Sequence, residues 1–275
     1  MTIPRTSHAR PLAAVVALTL PSLAACDQSS SHSGSASSDA ASTSASTSAS
    51  PSSSLSGTVT VLAAASLTES FGALEKSFEA ANPGVTVDIS FGSSATLAQQ
   101  IAQGAPADLY ASAGTKALDQ LPADGKAKPT KKLAKNVLEI ATPPGNPKKV
   151  SGLTSLADAG TNVVLCAETV PCGSAADGVL KKAGVTAHVV SREVDVKATL
   201  AKVTLGEADA AVVYHSDVVA SKGKVDGVEI PAEQNTTLDY PLVRLTDTAA
   251  AKAFADYLAG PEGLKQMEAV GFLAP

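Results

Sequence analysis

The sequence is poor in aromatic residues and has no excess of positive charge. It contains four Tyr, five Phe and no Trp among 275 residues. Because sugar-binding clefts stack their ligands on aromatic faces, this scarcity argues against a carbohydrate ligand. The formal net charge is −5. Since nucleic-acid-binding domains carry a basic surface, this charge offers no footprint for such a partner.

Cysteine is also scarce, and only Cys26, Cys166 and Cys172 are present. The spacing of the last two is not a standard zinc spacing, and the four His residues are scattered, so no metal site is predicted. If the chain is exported, Cys166 and Cys172 can form a disulfide. Closing so small a ring would stabilise the fold by only about 2 kcal/mol. Its expected role is therefore to hold the local loop around Pro171.

The first 25 residues have the pattern of a secretory signal peptide. Arg5 and Arg10 precede an apolar stretch at 12–20, and small residues follow. The segment ends in Leu-Ala-Ala-Cys at 23–26, which resembles the bacterial lipobox, in which the cysteine is diacylated and becomes the new N-terminus. The resemblance predicts lipid attachment at Cys26 and an extracytoplasmic chain anchored to the outer face of the cell membrane. The alternative is a soluble secreted protein.

Residues 26–57 form a stretch rich in Ser, Ala and Thr that has too few apolar residues to offset the entropy of ordering. We expect a flexible tether whose root-mean-square reach is roughly 30 Å. Such a composition is also compatible with O-glycosylation, which is a hypothesis only.

Residues 58–275 alternate predicted strands with predicted helices, which indicates an α/β fold with parallel β-α-β units. The predicted strands are 58–64, 85–91, 108–112, 136–142, 162–167, 188–191 and 210–214. The predicted helices are 67–81, 96–103, 153–158, 175–183, 196–205, 248–259 and 261–269. Between the last strand and the last two helices we predict a polar, hairpin-like region.

Four junctions where a strand is followed by a helix carry similar residues. Ser66 and Glu69 fit a capping box, and the other three junctions are Gly92-Ser93-Ser94, Pro171-Cys172-Gly173-Ser174 and Asp195. A helix N-terminus presents unpaired N–H groups and partial positive charge, so it favours an anion without Lys or Arg. Helix capping explains any single serine, but the recurrence favours a shared anion site.

Three segments of the chain also resemble a known family. They are TVLAAASL at 60–67, SFGSSATLAQQI at 90–101 and GAPADLYASA at 104–113, and VVYHSD at 212–217 and Tyr240-Pro241 continue the likeness. They resemble periplasmic molybdate-binding proteins of ABC transporters. The resemblance implies a type II periplasmic binding fold, in which two lobes, each a mostly parallel sheet flanked by helices, enclose a ligand cleft. Lobe 1 would comprise 58–139 and 226–275, and lobe 2 would comprise 140–225.

The resemblance also implies the ligand contacts. Ser66 and Ser94 match hydroxyl-and-amide contacts, Cys172 and Val196 match backbone N–H donors, and Tyr214 matches a phenol that donates to the anion. Cys172 departs from the family, which has a small residue there, so the loop geometry is open. Tyr214 has an alternative role as a core ring. His215 is better explained as a satisfied polar residue, and Asp195 as a helix cap.

The resemblance implies a non-enzymatic, monomeric solute-binding component of an ABC importer. It would capture molybdate, and also tungstate, without a cofactor and deliver it to the permease and ATPase subunits. Sulfate or ferric iron on the same scaffold is one alternative. A serine hydrolase using Ser66 or Ser94 is another, but neither serine lies in a Gly-x-Ser-x-Gly motif. Discrimination between molybdate and sulfate depends on cavity size, which the sequence does not reveal.

Overall fold

The computed structural model describes residues 55–122 and 129–275. The predicted signal peptide, the predicted lipid attachment site Cys26 and residues 27–54 of the predicted tether lie outside the described residues. In the two described ranges, none of the helices combines the length and the apolar character needed to cross a bilayer.

The first sheet begins with three parallel strands, each buried on the side that faces the flanking helices. They are β1 (Gly57–Ala64), β2 (Val85–Gly92) and β3 (Leu109–Ala111). A 3-10 turn at Ala65–Leu67 and helix α1 (Thr68–Ala81) connect β1 to β2. Helix α2 (Ser94–Ala102) connects β2 to β3. The sheet therefore consists of β-α-β units at this end.

The second sheet repeats this plan. Its parallel strands are β5 (Val163–Cys166), β6 (Val189–Glu193) and β7 (Ala210–Tyr214), and its helices are α3 (Pro171–Ala183), α4 (Val196–Thr204) and α5 (His215–Ala220). Strands β5 and β7 are buried at every position. Their continuous apolar sequences are typical of parallel strands that are covered on both faces.

A long strand, β4 (Pro129–Thr142), belongs to both sheets. Its residues 129–137 pair antiparallel with β9 (Thr237–Arg244), which also pairs antiparallel with β3. Its residues 138–142 pair with β7 and with β8 (Asp226–Glu229). The two sheets are thus joined through one continuous strand.

Two C-terminal helices, α6 (Ala249–Leu258) and α7 (Pro261–Ala269), complete the first sheet's helical layer. Helix α1 buries Phe71, Leu74 and Phe78 on one face, as their helical spacing predicts. The Phe78 ring centroid lies 4.9 Å from that of Phe254 on α6. This aromatic contact fixes α1 against α6.

The predicted α/β class, with mostly parallel sheets flanked by helices, is confirmed. The lobe bounds stay a prediction, although the pairing of β8 with β4 groups residues 226–229 with the second sheet. The predicted helix at 153–158 is a 3-10 turn at Leu153–Ala157. The short helix α5 was not predicted.

The prediction of a polar hairpin-like region between 214 and 248 was wrong for β9, which is a central strand. Tyr240, Leu242 and Val243 are fully buried there because β9 lies between β3 and β4. Residues 129–135 of β4 were also missed, since their lysines break the alternating apolar pattern of a strand.

Helix α3 begins at Pro171, four residues earlier than predicted. Proline at the first helical position has no N–H to leave unpaired, and its fixed φ suits a helix start. Cys166 at the end of β5 and Cys172 in the first turn of α3 form a disulfide with a Cα–Cα distance of 5.7 Å. The predicted pairing of these cysteines is therefore confirmed.

Gly173 allows the first turn of α3 to lie against the end of β5. A Cβ at this position would lie 2.0 Å from the carbonyl oxygen of Ala167 and 2.6 Å from that of Cys166. Both obstacles are backbone atoms, so they cannot move aside as a flexible side chain would. The sequence therefore needs glycine here for close packing.

We predict that Gly173→Ala destabilises the protein by about 1–3 kcal/mol, because the added methyl group overpacks this contact. Urea unfolding followed by circular dichroism measures the change. Gly178→Ala is the matched control on the same helix, because nothing lies within 4 Å of a Cβ there. It should be neutral or stabilising by up to about 1 kcal/mol. Equal stabilities for the two variants would contradict the packing explanation.

Candidate functional site

Five strand ends meet at one small cavity. Strands β1, β2, β5, β6 and β7 each lead into a helix, and residues from all five junctions line the cavity. In open α/β sheets, ligands bind in the crevice at the carboxyl ends of the strands, where the strands lead into helices. The predicted contact residues that line it are Ser66, Ser94, Cys172, Val196 and Tyr214. The structure thus brings together all five residues that the sequence analysis singled out.

The cavity is small enough for one inorganic ion. It offers about 20 Å³ to the centre of a water-sized sphere. As a sphere, that space has a radius of about 1.7 Å, and adding a water radius of about 1.4 Å gives room for a group about 3 Å in radius. Sites for drug-sized organic ligands are much larger, at about 300–1,000 Å³.

The Ser66 hydroxyl sits at the end of a buried hydrogen-bond chain. Its oxygen lies 2.9 Å from the Tyr240 hydroxyl oxygen, which in turn accepts from the Asn136 side-chain amide at 3.4 Å. Burial raises the pKa of Tyr240, so its hydroxyl keeps its proton and can donate to Ser66. In that arrangement the hydrogen of Ser66 is left for the cavity.

The Ser94 hydroxyl is held in a similar way at the first position of α2. Its oxygen accepts the backbone N–H of Ala113 at 2.9 Å. The Ser94 carbonyl accepts the hydroxyl of Tyr110 at 2.7 Å, and both residues are buried. Because this contact uses the oxygen and leaves the hydroxyl hydrogen free, Ser94 can donate to the cavity.

Tyr214 supplies a third hydroxyl, and this one is unsatisfied. It is 1% exposed, and its oxygen has no hydrogen-bond partner among the described residues. Burial raises the pKa of Tyr214 well above its usual value, with Tyr240 and Asp217 adding to the shift, so the proton stays in place. A buried hydroxyl without a partner is costly, which points to a ligand acceptor.

Backbone N–H groups add further donors. The first N–H groups of a helix have no acceptor within the helix. At α3 the N–H of Cys172 is of this kind, and the disulfide occupies the sulfur atom of the same residue. At α4 the Val196 N–H is of this kind, whereas that of Ala198 is capped by the Asp195 carboxylate at 2.9 Å. The predicted capping role of Asp195 is confirmed.

The walls of the cavity carry little charge. Among the described residues that line it, Asp195 alone is ionisable apart from Tyr214, and its carboxylate is turned onto the N–H of Ala198. Any attraction for an anion therefore comes from hydroxyl and amide dipoles and from the helix N-termini.

Two other expectations have clear outcomes. The capping box of Ser66 and Glu69 is wrong, because Ser66 contacts Tyr240 and Glu69 forms an ion pair with Lys197 at 2.7 Å. His215 is a satisfied polar residue as predicted, since its Nδ1 lies 2.7 Å from Glu139 Oε2.

The hydrolase alternative gains no support from the histidines. His188 Nδ1 contacts the carbonyl of Thr161 at 3.3 Å, and His215 contacts Glu139. The hydroxyls of Ser66 and Ser94 contact Tyr240 and the N–H of Ala113 instead of an imidazole. This arrangement holds serines as donors and does not activate them as nucleophiles.

The sequence analysis missed some of the site's residues. The Ser93 hydroxyl lines the cavity and has no partner among the described residues, and its place beside Ser94 was the available signal. Tyr240 and Asn136 support Ser66 from behind the wall. Nothing in their local sequence indicates this role, since they lie 174 and 70 positions from Ser66 along the chain.

A larger chamber adjoins the cavity. It has a volume of about 560 Å³ and shares Ala113, Val170 and Pro171 with the small cavity. Lys116 and Lys182 are among its other lining residues. The small cavity and the larger chamber are therefore direct neighbours.

Comparison with known proteins agrees with this geometry. Residues 59–273 match the family described as bacterial extracellular solute-binding proteins. The molybdate-binding protein ModA of Mycobacterium tuberculosis is 36% identical over 223 residues, which cover 79% of this chain and 85% of that protein. A putative ABC transporter substrate-binding lipoprotein of Bacillus subtilis is 33% identical over 226 residues, covering 79% and 86%.

A solved structure is also similar to this chain. The substrate-binding domain of a putative molybdenum ABC transporter from Clostridium difficile is 32% identical, with a TM-score of 0.59. The match covers 79% of this chain and 99% of that structure. Together with the five converging strand ends, these matches show that the chain belongs to the family of bacterial extracellular solute-binding proteins.

Proposed function

We propose that this protein binds molybdate, and also tungstate, as the solute-capturing component of an ABC importer. The observation that carries the proposal is the buried Tyr214 hydroxyl, which lacks a partner among the described residues and lies in an ion-sized cavity with Ser66 and Ser94. Relatives with the names given above, at 32–36% identity, support the choice of ligand.

The donors account for the charge of the ligand. Three hydroxyls and the first N–H groups of the surrounding helices converge on the cavity, and none of them needs to change its protonation state. About six to eight charge-assisted hydrogen bonds of roughly 1.5–3 kcal/mol each would give a gross ~9–24 kcal/mol. Association costs about 4–15 kcal/mol, and micromolar affinity needs a net of about 8 kcal/mol. The upper part of the gross range, at about 24 kcal/mol, therefore covers the association cost and leaves enough for micromolar affinity.

The same donors account for selectivity against phosphate. At neutral pH phosphate carries a hydroxyl, which needs an acceptor in the site. The one carboxylate that lines the cavity in the described part of the chain, that of Asp195, is engaged by the N–H of Ala198, so the wall offers hydroxyl oxygens but no free carboxylate to accept that hydroxyl. A fully deprotonated tetrahedral dianion therefore suits the cavity better.

The proposed cycle depends on closure of the two sheets around the ion. Ser66 and Ser94 follow strands of the first sheet, whereas Cys172, Val196 and Tyr214 follow strands of the second. A dianion that contacts both groups would favour the closed form, which the permease would recognise. In this scheme the protein acts as a monomer tethered to the membrane by a lipid on Cys26.

A thermal-shift panel of molybdate, tungstate, sulfate, phosphate and chromate tests the ligand. A ligand at about 100 times its Kd adds about 2.7 kcal/mol to the free energy of unfolding. We expect molybdate and tungstate to raise the melting temperature at micromolar concentrations, and phosphate to leave it unchanged. A shift with sulfate alone would reassign the ligand, and no shift with any of the five would refute the proposal.

Tyr214→Phe tests the central observation. Removing the hydroxyl should weaken molybdate binding about tenfold or more, since a charge-assisted bond is worth roughly 1.5–3 kcal/mol. The ligand-free protein should be as stable as the wild type or slightly more so, because a buried unpartnered group is removed. Calorimetric titration and urea unfolding measure the two effects. Tyr257→Phe on α6, which does not line the cavity, is the control. Equal affinities for the two variants would contradict the assignment.

The lipid anchor is tested by Cys26→Ser. In a bacterial host fed labelled palmitate, the wild-type protein should carry the label and enter the detergent phase, and the variant should do neither. The Cys166→Ser/Cys172→Ser double variant is the control, and it should keep the label. Retention of the label by Cys26→Ser would show that the chain is anchored elsewhere or is labelled non-specifically.

A further inference from the structure

Three charged side chains form a cluster beside the cavity. Lys197 Nζ lies 2.7 Å from Glu69 Oε2 and 2.9 Å from Asp217 Oδ1. Each member is close in sequence to a proposed ligand contact: Glu69 follows Ser66 by three positions, and Asp217 follows Tyr214 by three. Lys197 directly follows the third contact, Val196. The cluster thus connects the three segments that carry these proposed contacts.

The two ion pairs of Lys197 differ in what they connect. Lys197 on α4 and Asp217 on α5 both belong to the helices of the second sheet. Glu69 lies in the first turn of α1, which packs on the first sheet. The Lys197–Asp217 pair is therefore internal to one sheet's layer, whereas the Lys197–Glu69 pair crosses from one layer to the other.

The two pairs also differ in burial. The Asp217 side chain is fully buried, whereas 39% of the Glu69 side chain is exposed. An unpaired buried carboxylate is costly, so Lys197 cannot leave Asp217 without a large penalty. Glu69, in contrast, can separate from Lys197 into water at little cost. The crossing pair is the one that can break while the other remains.

Asp217 also ties the cluster to the cavity. Its second oxygen accepts the backbone N–H of Tyr214 at 3.3 Å, which helps to position the tyrosine. Burial opposes the charge of Lys197, but Asp217 and Glu69 together raise its pKa above the usual value, so it stays protonated. The cation is thus available for Glu69 whenever the two layers meet.

We propose that the Glu69–Lys197 ion pair is a closure latch, which forms whenever the two sheets close, with or without the anion, and must break before a bound anion leaves. Asp217 keeps the lysine in place during opening. The latch rests on the proposed function for its ligand, but closure itself can be measured without one. Glu69 and Lys197 act here as positioning residues that control the release rate, and not as ligand contacts.

Glu69→Gln tests the latch, with Glu207→Gln as a matched control. Glu207 Oε2 lies 2.6 Å from Lys202 Nζ, and this pair does not cross between the layers, since Lys202 is on α4 and Glu207 follows it. Both variants remove one negative charge from a partly exposed Lys–Glu pair, so the two variants have the same net charge.

The first readout is the release of radiolabelled molybdate after dilution into excess unlabelled molybdate. We expect release from Glu69→Gln to be about two- to fivefold faster than from the wild type, which is what the loss of a partly exposed ion pair allows, and release from Glu207→Gln to be unchanged. Equal release rates for the two variants would overturn the latch and leave the proposed function intact.

The second readout needs no ligand. Opening exposes the first turns of α1 and α4, so hydrogen exchange of peptides spanning 64–72 and 195–200 should be faster in Glu69→Gln than in Glu207→Gln. Unchanged exchange in both variants would overturn the latch. If the wild type retained no molybdate at all, the proposed function would fail, and this exchange comparison would still decide for or against the latch.

Discussion

The site depends on one constraint of helical geometry, which is that the first N–H groups of a helix have no acceptor within it. In this protein, junctions where a strand leads into a helix place several such groups around one cavity. They supply positive potential without a mobile cation, so the cavity needs no Lys or Arg in its wall. A dianion held in this way keeps its charge balanced by dipoles that are fixed by the fold.

The serine hydroxyls in the cavity wall also share one feature. Their oxygens are engaged from behind, by Tyr240 in the case of Ser66 and by the N–H of Ala113 in the case of Ser94. Each hydroxyl can therefore direct its hydrogen into the cavity before any ligand arrives. Burial raises the pKa of Tyr214, so its hydroxyl stays protonated and can also donate to a ligand. Such preorganisation lowers the cost of binding and sets the preference for a ligand that offers only acceptors.

The two sheets contribute separate parts of the cavity wall. Strand β4 runs from one sheet into the other, and the cavity takes hydroxyls and amides from both. On the second sheet's side, the Cys166–Cys172 disulfide and the close contact at Gly173 fix the start of α3. Between the two layers, Lys197 on α4 pairs with Glu69 on α1. The start of α3 is thus held firmly in place. The link between the two layers, in contrast, is a partly exposed ion pair that can separate into water.

The amino-acid sequence by itself determined the α/β class, most strand and helix positions, and five of the residues that line the cavity. These follow from local patterns: apolar periodicity, small polar residues at strand ends, and motifs that resemble a known family. Strand β9 escaped prediction because its pairing in the middle of a sheet, and not its local composition, buries it, and the first part of β4 escaped because its lysines break the apolar pattern. Only the tertiary structure decided that Tyr240 and Asn136 orient Ser66, and that Glu69 pairs with Lys197 and does not cap its own helix. Those contacts join residues 104 to 174 positions apart, and a sequence carries no local signal for which distant side chains the fold will bring within hydrogen-bond distance.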